Sequence, residues 1–394
     1  MELVRKRLAW FFESRRRKIA TAASVVAVTL LAAVTVFVVA APSPGASSSA
    51  MAAASPTITA SPTQATPTPT ESPTPTGTSS PEPSLGPTPL PAGMALSDLD
   101  GTVAPIDHAH RLPMALMIDD YKKARPQSGF STASIVYQAM IDDQSDRYML
   151  NFQEGDATDI GPVRSSRPYF VYWAAEYKAL YGHFGGDAMA LQRVIPAMAN
   201  SIYNEDDLNG GACPYHRINT RNAPYNAYTN TAVLISCAAK RGYPTTFQNI
   251  PTRTFTDDSP ASQLPASQTI VIPYLAETIS YRFDPSTDAY LRLVNGQPHI
   301  DPANNKQITA RNIVVLFQQY AVVPSLDKMR PQVTNVGSGK AIVFREGRAI
   351  TGTWKKAGNS DLTQLYDASG KIIPLVRGEI FIQSVPLKTA VTYK

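Results

Sequence analysis

The sequence predicts an α+β fold, mixed in its first half and mostly β in its second. Three observations carry this. Strand-like apolar runs alternate with helix-length segments between residues 113 and 240. From residue 270 onward the period shortens to β-type runs of three to six residues, separated by Gly, Asn, Asp and Pro. Between the two, Asp257-Asp258-Ser259-Pro260 and Pro265 break the pattern, which places a boundary near 257–267.

The chain has 394 residues and a formal charge of +5. Residues 1–41 hold seven bases, Arg5, Lys6, Arg7, Arg15, Arg16, Arg17 and Lys18, against Glu2 and Glu13. All the excess charge is therefore there, and the other 353 residues balance at 29 bases and 29 acids. A charge-balanced body has no general attraction for nucleic acid, so no nucleic-acid partner is expected. The basic stub, 1–18, abuts Ile19–Ala41, 23 residues without charge, Pro or Gly. A helix of that length spans a hydrocarbon core of about 30 Å. The bases before it predict a cytoplasmic N-terminus and an extracytoplasmic body held by a signal-anchor in the cell membrane. A cleaved signal peptide is the rival reading, with small residues at Val38, Ala40 and Ala41.

Residues 42–93 contain 13 of the 33 prolines and 20 Ser or Thr, and only Glu71 and Glu82 are charged. Such a segment buries too little apolar surface to offset the entropy of ordering, which predicts a disordered, proline-rich stalk. The folded part then divides into 94–260 and 261–394. In the first, Pro113–Ile118, Ser134–Ile141 and Arg147–Phe152 read as strands. Pro168–Leu180 reads as a helix with Pro at its first position, and Tyr169, Phe170, Trp173 and Tyr177 form a core-facing side. Asp187–Ile195 and Thr231–Lys240 are further helices. In the second, strands are predicted at 270–272, 279–283, 290–294, 313–317, 341–344, 349–354 and 380–385, with a hairpin turn at Asp367-Ala368-Ser369-Gly370.

The search for chemistry is mostly negative. No Gly-x-Ser-x-Gly, His-Glu-x-x-His or Cys-x-x-Cys occurs. Gly337-Ser338-Gly339-Lys340 lacks the earlier Gly and the following Ser/Thr of a phosphate loop. Asp98-Leu99-Asp100-Gly101-Thr102-Val103 resembles the first motif of haloacid-dehalogenase-type phosphatases. No buried strand precedes it and the later Lys and acidic elements are missing, so a turn is expected there. Cys213 and Cys237 are the only cysteines, and a disulfide between them is expected in an exported body, against two buried free thiols. Neither a metal nor a cofactor is implied.

The densest polar block is Ile160-Gly161-Pro162-Val163-Arg164-Ser165-Ser166-Arg167-Pro168. Arg164 and Arg167, with Ser165 and free helix N–H groups, suit an anion or glycan hydroxyls. His183, Gly185 and Gly186 form a second block, whose glycines permit close backbone approach. Arg217, Arg221 and Asn226 form a third. The plainer reading of each Arg is an ion pair with Asp119, Asp143 or Glu176. Three such blocks in one half favour a shared pocket.

At these blocks the sequence resembles the YerB-like lipoproteins of bacteria, a domain of unknown function. The matching residues are Met117-Ile118-Asp119, Ala124–Gly129, Ile135-Val136-Tyr137, Ile160–Phe170, His183–Gly186, Arg221–Asn226 and Gly352-Thr353-Trp354-Lys355-Lys356. The resemblance covers about Pro113 to Pro386, with the first half matching an N-terminal and the β-rich half a C-terminal region. It implies a layered α/β sandwich and an envelope-facing protein, with no established reaction. Members usually carry a lipidated Cys, where this chain has an apolar segment and a stalk. Asp120, Tyr225 and Asp187 stand where Asn, His and Ser are usual, and Arg377-Gly378 replaces Pro-Gly; if the family site is catalytic through the residues at 225 or 187, this implies an altered or inactive member. The functional expectation is a surface protein that binds an envelope glycan, an anionic polymer or a protein partner through Arg164, Arg167 and His183. The alternative is an envelope hydrolase or transferase using Asp119 and His183 as acid and base, with Arg164 and Arg167 holding substrate charge.

Overall fold

A computed structural model describes residues 90–394 other than 143–144, 212, 214 and 248–249. The basic stub, the apolar run 19–41 and nearly all of the stalk 42–93 lie outside the described residues, as does Asp143. The described residues fall within one compact unit, Pro83–Lys394.

Numbering only the strands of the two larger sheets, the first half contributes β1 (Met114–Asp119), β2 (Ile135–Met140), β3 (Asp146–Phe152), β4 (Leu180–His183) and β5 (Tyr203–Asp206). The second contributes β6 (Thr269–Pro273), β7 (Thr278–Asp284), β8 (Ala289–Val294), β9 (Asn312–Gln318), β10 (Gly337–Arg345), β11 (Arg348–Lys356), β12 (Gln364–Asp367) and β13 (Ile380–Pro386). Ten of them form one mixed sheet in the order β12-β11-β10-β9-β13-β2-β3-β1-β4-β5. Five come from each half. The halves join where β13 pairs in parallel with β2, Ile380 opposite Ile135 through Ser384 opposite Ala139. β6, β7 and β8 form the core of a second, antiparallel sheet.

Both faces of the central strands are covered, which is why MALMID, IVYQAM and NIVVLFQ read as almost continuous apolar runs. Odd-numbered side chains of β1 and β2, such as Met117 and Tyr137, face α1 (Pro168–Ala175). Even-numbered Leu116 and Val136 face the second sheet and α2 (Thr231–Lys240). The result is the α+β, layered architecture expected, with a mostly β second half. Tyr169, Phe170, Trp173 and Tyr177 are buried core residues.

Three differences have local causes. The first helix stops at Ala175, because Lys178 takes φ +49° and turns the chain into β4. The segment 187–195 forms a π-helical turn at Ala190–Val194 followed by Ile195–Ala197, with Pro196 preventing a regular continuation. A hairpin of Tyr320–Pro324 and Met329–Val333, invisible to the sequence pattern, pairs outside the large sheets, where Pro324 and Pro331 are tolerated. The Asp98–Val103 segment is a turn between two short strands, Met94–Leu96 and Val103–Pro105. Asp98 there meets His110 at 3.0 Å, whereas Asp100 accepts from the Thr102 N–H. The two carboxylates do not face one acceptor site.

The fully buried ion pair between Lys356 Nζ of β11 and Glu176 Oε1, 2.7 Å apart, fastens the end of α1 to the second half. Lys356→Met should destabilise the chain by about 3–5 kcal/mol, because it strands a buried carboxylate. Glu176→Gln added to it should recover most of that loss in denaturant unfolding. No recovery would mean the pair is not the determinant.

Candidate functional site

Backbone pairing draws the three polar blocks together. β4 pairs with β1 only from Met114 to Leu116, so the last part of β1 has a free edge beside it. The 162–166 loop fills that edge. The Arg164 N–H donates to Met117 O at 2.8 Å, and the Asp119 N–H donates to Pro162 O at 3.1 Å. On the loop's other side, the Phe184 N–H donates to Arg164 O at 3.0 Å and the Ser166 N–H to Gly185 O at 2.8 Å. The third block closes on the same loop, with the Val163 N–H donating to Ala227 O at 2.7 Å. Asp119, Arg164–Arg167, His183–Gly186 and Tyr225–Asn226 therefore share one end of the sheet.

Within this cluster the side chains take different roles. Asp119, buried, has Arg164 Nε 2.9 Å from Oδ2 and accepts from the Tyr121 N–H at 3.1 Å. Arg147, opposite Asp119 in β3, is also buried. It donates to Ser165 O at 2.7 Å and to Ser165 Oγ at 3.0 Å. Burial first, and then the neighbouring Arg167 charge, push the Arg147 guanidinium down to about 9. Arg167 is 6% exposed and is consumed internally: it donates to Asp142 Oδ2 at 2.6 Å and to Ser166 O at 2.9 Å. Arg330 meets the same Asp142 oxygen at 2.6 Å. Burial works upward on Asp142, but the Arg167 and Arg330 charges outweigh it and hold the carboxyl below its ordinary range. Arg167 thus fixes the start of α1 rather than facing a ligand.

His183 is 0% exposed. Its Nδ1 lies 2.8 Å from Gly185 O and its Nε2 2.9 Å from Asn204 Oδ1. Both ring nitrogens are engaged inside the sheet, and neither hydrogen-bonds Asp119 among the described residues. Gly185, at φ +68°, and Gly186 serve packing, not ligand approach. A Cβ on Gly185 would stand 2.8 Å from the Leu208 side chain, and one on Gly186 would stand 3.0 Å from that of Leu191. Arg221 is likewise structural, donating to Ala124 O at 2.5 Å and Pro126 O at 2.7 Å. Cys213 and Cys237 are bonded to each other, tying the loop that carries Arg217–Asn226 to α2.

What remains accessible is a face of guanidinium and aromatic groups. Arg164 forms no hydrogen bond among the described residues beyond its Asp119 ion pair, and it lies 5.8 Å from the Tyr225 ring centre. Tyr225 stacks on Tyr121, which is 48% exposed, at 5.8 Å. Arg217 covers the Phe184 ring at 4.9 Å and donates to Asn226 Oδ1 at 2.5 Å. Tyr121, Arg147 and Phe184 were not legible as site residues. Arg147 reads as the start of a strand, and only its register opposite Asp119 reveals it.

Residues 100–244 match the family described as "Protein of unknown function (DUF3048) N-terminal domain", and residues 270–382 match its C-terminal domain. The chain belongs to the DUF3048 family. The resemblance read from its motifs therefore holds over both regions. A Bacillus subtilis (strain 168) protein named "Putative lipoprotein YerB" is 27% identical over 281 residues, covering 70% of this DUF3048 chain and 82% of the relative. A crystal structure of the YerB protein from Bacillus subtilis has the same fold. It superposes with a TM-score of 0.67 at 24% identity, over 76% of this chain and 99% of that one.

The two arginines of the central block should separate experimentally. Arg167→Ala is expected to cost roughly 2–4 kcal/mol in denaturant unfolding, since it removes a buried guanidinium that bonds Ser166 O and the half-buried Asp142 and lies 3.8 Å from the buried Asp187. Arg164→Ala, one-quarter exposed, should cost less, about 1–2 kcal/mol, because the buried Asp119 keeps Arg147 at 3.8 Å when its Arg164 partner is removed. Equal losses would contradict the division of roles.

Proposed function

We propose that the chain is an extracytoplasmic cell-envelope protein that binds an acidic envelope glycan through the face formed by Arg164, Tyr225, Tyr121 and Arg217. The observation that carries this reading is the Arg164 guanidinium, paired through Nε with Asp119 and held beside a stacked pair of tyrosines, with no hydrogen bond from its terminal nitrogens among the described residues. Aromatic faces suit the C–H surface of a sugar ring, and a fixed guanidinium suits its carboxylate or phosphate. Because the exported residues are charge-balanced, attraction for such a polymer has to come from a few placed arginines.

The envelope setting is supported by the relative named as a lipoprotein. The anchor differs in this reading. Both cysteines of the chain are joined in the Cys213–Cys237 bridge, so no thiol is left to carry a lipid. Among the described residues no helix is long and apolar enough to cross a membrane. The tether is Ile19–Ala41, with the stalk 42–93 setting the reach of the body.

The test is co-sedimentation of the full-length, detergent-solubilised chain with purified cell-wall fractions, separated into acidic and neutral glycans. Wild type should bind the acidic fraction in a salt-sensitive manner. Arg164→Ala and Tyr225→Ala should each weaken binding by roughly tenfold, the size of one charge-assisted or stacking contact. Equal binding by wild type and Arg164→Ala would sink the proposed face.

A further inference from the structure

Away from that face, three buried carboxylates meet between the central sheet and the second sheet. Asp120 follows β1, Asp146 opens β3, and Glu277 sits in the turn between β6 and β7. They are 5%, 3% and 7% exposed. One oxygen of each lies within 4.8 Å of one oxygen of each of the others. We propose that Asp120, Asp146 and Glu277 form a binding site for a hard divalent cation of the Ca²⁺, Mg²⁺ or Mn²⁺ class.

The donor bookkeeping points to a ligand. Asp120 Oδ1 accepts from Arg125 at 2.7 Å and from Gln127 Nε2 at 2.8 Å. One Glu277 oxygen meets the same Arg125 guanidinium. Among the described residues, Asp146 Oδ2 accepts from the Gln138 amide alone, at 3.4 Å. Left over among the described residues are Asp120 Oδ2 and Glu277 Oε1, both shielded from solvent and without a hydrogen bond, although the Tyr148 hydroxyl eases the Asp120 charge. Buried carboxylate oxygens are ordinarily paired or bound to metal.

Positive charge at the cluster is scarce. Arg125 is the one guanidinium in contact with these carboxylates among the described residues. Arg292, the next nearest, spends its donors on Gln138, Tyr148, Tyr281 and His299. His299 is held neutral by burial and by the Arg292 charge. Tyr148 and Tyr274 complete the ionisable surroundings, and burial pushes both phenols up. Three carboxylates with two oxygens to spare form an all-oxygen donor set, the chemistry that selects hard cations over zinc or copper. A cation there would join β1, β3 and the β6–β7 turn, and so clamp the second sheet onto the first. Without one, the cluster answers its shortage of positive charge with a proton. Burial, and then the Glu277 charge, raise Asp120 to about 7.

The experiment uses the full-length chain in detergent, stripped with chelator, with Mn²⁺ alone as the probe. Free Mn²⁺ is followed by electron paramagnetic resonance and unfolding by a thermal melt. The expected result is saturable uptake of one Mn²⁺ per chain and a higher melting midpoint at pH 7.5. Asp146→Asn should bind at least tenfold more weakly, yet melt higher than wild type when no cation is present, since one like charge is gone. Glu277→Gln serves as the second variant and should lose uptake in the same way. Two results would overturn the proposal. One is undiminished uptake by both variants. The other is no uptake by wild type, with the same melting midpoint with and without Mn²⁺.

Discussion

The Glu176 carboxylate, sealed at the end of α1, is the constraint around which the rest is arranged. It accepts from Lys356 Nζ at 2.7 Å, Thr363 Oγ1 at 2.7 Å, the Thr363 N–H at 3.2 Å and Tyr137 OH at 3.3 Å, with Arg253 3.7 Å away. A charge without water needs this many partners, and they come from strands and loops of both sequence halves. Meeting them fixes where α1 lies on the sheet. The opposite end of α1 begins at Arg167, so the same constraint positions the loop that carries Arg164 and Ser165. A polar interaction in the interior thus sets the geometry of an exposed face at the far end of one helix.

The molecule buries many charged groups, and they divide by what answers them. Glu176 is answered in full, by a lysine and hydrogen-bond donors. Asp142 is answered by two arginines, Arg167 and Arg330. Asp120, Asp146 and Glu277 differ in that three buried carboxylates meet one another, an oxygen of each within 4.8 Å of the others, with two of their oxygens lacking a donor among the described residues. Residues joined into complete networks hold the architecture. Those with unspent donors or acceptors, Arg164 on the outside and the carboxylate trio on the inside, are where a ligand has something to offer.

Much of the fold was legible because both faces of the central strands are buried, so MALMID and NIVVLFQ announce themselves. Thr231–Lys240 was read to its residue limits, and the structure caps it with Asn230, whose Oδ1 accepts from the Val233 N–H at 2.8 Å. The site was legible only as three separate blocks. Their association depends on the 162–166 loop filling a free strand edge, which leaves no periodic signature. Nor does sequence separate Arg164 from Arg167. The two differ in burial alone, and burial is decided by Asp142 and Arg330, the latter 163 positions after Arg167. His183 looked like chemistry and is a structural brace. The carboxylate trio was invisible because its members are separated by 26 and 131 positions and no spacing rule joins them.

β13 has a consequence for how the molecule comes into being. It occupies Ile380–Pro386, close to the C-terminus, yet it lies in the middle of the ten-stranded sheet, between β9 and β2. Synthesis proceeds from the N-terminus, so the first five strands are complete long before their central neighbour exists. Throughout that interval Ile135–Met140 is a bare edge, apolar on both faces and ready to pair with any extended chain nearby. The sheet therefore closes in one late step, by threading its keystone last. Removing Ile380–Pro386 would take out the centre of the sheet and leave its aggregation-prone edge in place.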